Sequence, residues 1–116
     1  MTNITAEEWQ LLSFFAVEPT LVDANVPWCY NHAVYEVHQG EIVLCCAIEP
    51  AYRDVHIVVK YATERLYELN AKAVKDVRYT NDKGLEQLEV AINDHESLLL
   101  RILPRIELTH QYDGSP

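Results

Sequence analysis

A chain of 116 residues has the size of one domain and can bury a single core. Its 49% hydrophobic and 23% charged residues fit a globular protein and exclude a disordered one. Eighteen acids against nine Lys and Arg give a formal charge of -9, which repels phosphate backbones and anionic lipid, so neither nucleic acid nor a membrane surface is an expected partner. The excess is lopsided, because residues 1–52 contain seven carboxylates and no Lys or Arg.

The same absence removes the positively charged start of a secretory signal. No apolar run approaches the ~18 residues that span a bilayer, and a cytoplasmic location is expected. Cys29, Cys45 and Cys46 form an odd set without CxxC spacing. Adjacent residues of a strand point to opposite faces, so Cys45 and Cys46 suit each other poorly as partners and read as small buried apolar residues.

Thr5-Ala6-Glu7-Glu8 fits a capping box and predicts a helix start, after which Trp9, Leu12, Phe15 and Ala16 recur as one apolar stripe. Pro19 and the stretch to Pro27 end this helix. From Trp28 the period changes to two: Ala33, Tyr35 and Val37 alternate with His32, Val34, Glu36 and His38, and Gln39-Gly40 supplies a hairpin turn. The returning strand, Ile42 to Ile48, is apolar throughout and predicts a central strand covered on both faces. Pro50 ends it, and Val55, Ile57, Val59 and Tyr61 alternate in a third strand of an antiparallel meander.

Between 62 and 77, Ala62, Leu66, Leu69, Ala73 and Val77 recur at intervals of three and four, which favours an amphipathic helix, with a strand pair turning at Asn70 as the alternative. Asn81-Asp82-Lys83-Gly84 signals a turn, Leu88, Val90 and Ile92 alternate, and Asn93-Asp94-His95-Glu96 signals another. Leu98 to Leu103 and Ile106 to Tyr112 are extended pieces broken at Pro104, which marks a bulge or an edge. The predicted architecture is α+β: one domain over 1–116, an antiparallel meander sheet with an N-terminal helix and one internal amphipathic helix packed mainly on one face, and 113–116 as a loose tail.

Three glycines, Gly40, Gly84 and Gly114, leave no place for a Gly-rich dinucleotide turn or a P-loop. Ser13, Ser97 and Ser115 sit in no nucleophile elbow. His32, Glu36 and His38 share one strand face, and His56 on a nearby strand is a further donor, but without HExxH or paired Cys/His spacing these read as ordinary imidazoles and not as metal ligands. Glu49 with Asp54, and Asp94 with Glu96, are carboxylate pairs in turns, where acids are commonly solvated. Cys29, between Trp28 and Tyr30, is a weak nucleophile among acids. No catalytic residue, cofactor or metal is expected.

What remains is aromatic residues among acids: Trp28, Tyr30 and Tyr35 in the acidic half, and Tyr52 between Glu49 and Asp54. Tyr and Trp anchor protein interfaces, and clustered acids complement a basic partner. Trp28 and the strand tyrosines read as core, and Tyr52, in a loop, as exposed. Asp23, Glu36, Glu41, Glu49, Tyr52 and Asp54 form the expected partner-binding set.

The small acidic chain, with its short helix, the Val26-Pro27-Trp28-Cys29-Tyr30-Asn31 entry and the meander, resembles the bacterial immunity proteins of contact-dependent and other polymorphic toxin systems. The resemblance implies a non-enzymatic cytoplasmic inhibitor of a cognate toxin, here a basic nuclease met by an acidic surface. It transfers no residue by position. Two other readings stay open: an enzyme or ligand-binding domain with a cleft lined by His32, Tyr35, Glu36 and His38, and a homo-oligomer whose subunits pair through the Pro104 edge or the hairpin.

Overall fold

Alternation between core and surface is clearest in the strands that begin at Ala33, Ile42 and Glu96. The structure, a computed structural model, describes residues 4–113. Among these residues one α-helix, α1 (Glu8–Phe15), precedes nine strands: β1 (Thr20–Leu21), β2 (Ala33–Gln39), β3 (Ile42–Glu49), β4 (Asp54–Tyr61), β5 (Glu64–Ala71), β6 (Asp76–Asp82), β7 (Leu85–Asn93), β8 (Glu96–Arg101) and β9 (Glu107–Tyr112). They form two antiparallel sheets, ordered β1-β2-β3-β4-β5 and β6-β7-β8-β9. The expected single sheet is thus corrected to two, because the chain leaves the first after Ala71 and the apolar alternations of the two halves then cover each other.

The inner faces meet in one core. Tyr35, Leu44, Cys46, Ile48, Val55 and Ile57 of the first sheet pack in the same cluster as Val77, Leu88, Val90, Leu98 and Leu100 of the second. Helix α1 adds Leu11, Phe14 and Phe15, and Phe15 stacks on Tyr35 with ring centroids 4.5 Å apart. Trp28, in a single 3-10 turn before β2, donates its indole N–H to the Tyr35 hydroxyl at 2.9 Å, so both buried polar aromatics are satisfied. Burial pushes the Tyr35 phenol up to about 12 against the opposing effect of that hydrogen bond.

Local chemistry overrides several expectations. The helix starts two residues late for a Thr5 cap: Gln10 accepts the Glu7 N–H, and Thr5 instead gives its own N–H and hydroxyl to Asp76. Leu11, Phe14 and Phe15 face the core, while Trp9 of the predicted stripe is 61% exposed. Strand β3 is central, but one face is buried (Leu44, Cys46, Ile48) and the other, with Val43, Cys45 and Ala47, only half-buried. Residues 62–77 contain no helix. Ala62 and Ala73 both adopt positive φ (55° and 51°) in turns, Asn70 lies within β5 opposite His56, and Leu66 beside the bulge of the β4–β5 pairing is 62% exposed. Pro104 follows a cis bond in the β8–β9 loop, consistent with the expected break. Of the expected loose tail, Asp113 is tied by its N–H to the His95 carbonyl, and 114–116 lie outside the described residues.

Candidate functional site

Strand parity sorts the expected contact residues. Glu36, Cys45, Val58 and Glu68 are register partners across β2 to β5 on the outer face of the first sheet, and Ala47, His56 and Asn70 form the next row. The His and Glu residues of this face pair off and do not converge. His38 bonds Glu36, His56 bonds Glu68 and His32 bonds Glu49, each at 2.7 Å. Among the described residues no group of three His, Cys, Asp or Glu side chains is placed to hold a metal ion. Tyr35 is buried on the opposite face, so the cleft imagined from His32, Tyr35, Glu36 and His38 does not form. The His38 hydrogen bond holds the Glu36 carboxyl below its ordinary range, and burial, aided by Glu36, pushes the Cys45 thiol up.

One end of the first sheet collects most of the expected set. The β3–β4 turn runs from Glu49 through Tyr52, which is 67% exposed, to Asp54, and Asp23 lies at the same end, where its N–H and carbonyl engage the Asn31 side chain. Exposed Val22 and Tyr30 flank that entry. Asp54 is occupied structurally: it accepts the Ala73 N–H at 2.9 Å, and Lys72 lies 3.6 Å away. Glu36 sits mid-sheet. Glu41 sits in the β2–β3 turn, about 26 Å from Glu49 by the rise of a strand, and belongs to the opposite end.

The outer face of the second sheet is shallowly concave. A depression of about 290 Å³ is lined by Lys75, Arg78, Glu89 and Ser97 among others, but Lys75 pairs with Asp94, and Arg78 with Asp76 and Glu89. Both the Lys and the Arg of its lining are thus already paired. Cys46 is fully enclosed and its thiol is pushed up to about 12 by burial, and Ser13 donates to Glu86, an acceptor already shared with Tyr79. No helix of the described residues is long and apolar enough to cross a membrane.

This two-sheet fold has a solved counterpart. A chain in the "Contact-dependent growth inhibition toxin - immunity protein complex from Klebsiella pneumoniae 342" superposes with a TM-score of 0.79 at 16% identity, covering 96% of this chain and 98% of that one. No family model matches the sequence, and no curated protein matches it. The likeness to the Klebsiella complex establishes a shared fold over nearly the whole of both chains.

A further set of side chains escaped the sequence reading. Trp9 donates its indole N–H to Glu7 Oε2 at 2.7 Å and meets the Tyr79 ring edge-on at 6.5 Å, and Tyr79 donates to Glu86 Oε2 at 2.6 Å. Trp9 had been placed in the core stripe, and the link to Tyr79 and Glu86, seventy and more residues away, leaves no local signal.

Proposed function

We propose that this chain is the immunity partner of a contact-dependent growth inhibition toxin, a non-enzymatic inhibitor that acts by binding. The observation that carries the reading is the match of fold over nearly the full length of a chain in such a toxin–immunity complex. Of the two roles in that complex, inhibitor fits the charge: -9 overall, with Glu7, Glu8, Glu18, Asp23 and Glu41 forming no ion pair among the described residues. Such a surface favours a basic partner, and a toxin that grips nucleic acid is basic where it does so.

The contact surface we propose is the end of the first sheet bearing Asp23, Glu49 and Tyr52, with Glu36 and Asp54 adjoining it and Glu41 contributing to the field from the far end. Tyr52 supplies a large exposed ring at low conformational cost and the acids supply steering. The test is growth: toxin domains of contact-dependent growth inhibition systems are expressed in bacteria with and without this chain. Restored growth and a stable purified complex are expected. Growth arrest by this chain alone would assign it the toxin's role, and arrest by every such toxin domain unrelieved by this chain would overturn the reading.

A further inference from the structure

The exposed indole of Trp9 is held as an interface anchor would be. Burying an aromatic side chain stabilises a fold, yet Trp9 leaves 61% of its surface in water while its neighbours Leu11, Phe14 and Phe15 fill the core. It is nevertheless fixed in place. Glu7 accepts its N–H, Tyr79 abuts its ring, Glu86 accepts from Tyr79, and Ser13, one turn along α1, donates to the same Glu86 oxygen at 2.6 Å. A side chain already immobilised loses little entropy when a partner covers it.

The electrostatics of this network are as telling as its rigidity. Glu7 and Glu86 accept only from neutral donors, and among the described residues no Lys, Arg or His pairs with either. An open indole face beside two carboxylates without a cationic partner, one of which also accepts the Gln10 N–H at the start of α1, is complementary to a cation. Arg fits best, since its guanidinium stacks on an aromatic ring and donates in pairs to a carboxylate.

We propose that Trp9, with Glu7 and Glu86 on either side of the Trp9–Tyr79 pair, is a second anchor that takes an Arg or Lys side chain of the toxin domain, separate from the Tyr52 turn. The proposal rests on the immunity reading and names a contact that the acidic loop does not supply. Its test measures binding kinetics of the toxin domain used in the growth test with the wild-type chain, Trp9→Ala, Trp9→Phe, the double variant Glu7→Gln/Glu86→Gln, and Tyr52→Ala.

Trp9→Ala is expected to weaken binding about 30-fold or more, mainly through faster dissociation, with an unchanged melting temperature. Trp9→Phe, which keeps a ring against Tyr79, is expected to bind with intermediate affinity and separates loss of the anchor from loss of folding. The double Gln variant is expected to associate more slowly and with a flatter salt dependence. If the wild-type chain neither binds nor protects, the immunity reading itself falls. If the wild-type chain binds and only Tyr52→Ala weakens it, the Trp9 anchor alone is overturned.

Discussion

On the outer face of the first sheet Glu36, Glu49 and Glu68 each hold a histidine at 2.7 Å, whereas Glu7 and Glu86, beside α1, accept only from neutral donors: an indole, hydroxyl groups and, at Glu7, the Gln10 N–H. Both regions bear the same formal charge per carboxylate, but in the first Glu68 already pairs with Arg65, and each histidine becomes a cationic partner on protonation. Asp54 and Asp76 go further and hold backbone together: Asp54 accepts from Ala73, and Asp76 from Thr5 and Val77. Counting acids along a chain therefore measures its field at a distance and says little about which carboxylates are available at contact.

Substitutions can break this division. Leu44→Ala on the inner face of β3 sets the scale, at about 2–5 kcal/mol in a urea melt, because it empties core volume between both sheets. Its half-buried strand neighbour, Val43→Ala, is expected to cost less than about 1.5 kcal/mol. Asp76→Ala comes next, at about 1.5–3 kcal/mol, since it strips the acceptor from the Thr5 hydroxyl and two backbone N–H groups. A loss below about 0.5 kcal/mol would mean that Asp76 is as dispensable as the surface acids.

Asp76 also predicts a pH dependence. Partial burial raises its pKa, but the Thr5 and Val77 hydrogen bonds and the Arg78 charge outweigh this and hold the folded carboxyl below its ordinary 3.8. A carboxyl lowered on folding stabilises above its unfolded value, and that contribution disappears as pH falls through the folded one. Wild-type stability is thus expected to drop below about pH 4. Asp76→Asn is expected to flatten that limb in melts taken across the acid range. The smallest effect belongs to Glu41→Lys, whose carboxylate forms no hydrogen bond or ion pair among the described residues: stability should stay within about 0.5 kcal/mol, while association with a basic toxin domain slows and depends less on salt.

The strands were legible where residues alternate and turns carry Gly or Asn, as at Gly40 and Asn81 to Gly84. They were illegible at 62–77. There Ala62 and Ala73 take the positive-φ positions that glycine usually marks, and the exposed Leu66 supplied a false helical repeat. The second layer was hidden for a related reason: alternation says which side chains face inward but not what they face. Of the site, the exposure of Tyr52 and the burial of Tyr35 were readable from loop against strand, whereas Tyr30, expected in the core beside Trp28, lies in the 3-10 turn before β2 and is 61% exposed. Trp9 was misread because helical spacing alone fits either of two stripes, and only packing on β2, β6 and β7 selects the one with Leu11, Phe14 and Phe15.

At the end of the molecule away from Tyr52, the Gln39 side chain donates to the Ile102 carbonyl at 2.6 Å and accepts the Ile106 N–H at 2.9 Å. One amide thereby reads both a donor and an acceptor of the loop that introduces β9, as a neighbouring strand would. β9 has only β8 beside it in its own sheet, so its fraying is governed in part from the other layer. Amide hydrogens of β9 in a Gln39→Ala chain would then exchange faster than those of β7, and the last strand of the second sheet would behave as a dependant of the first.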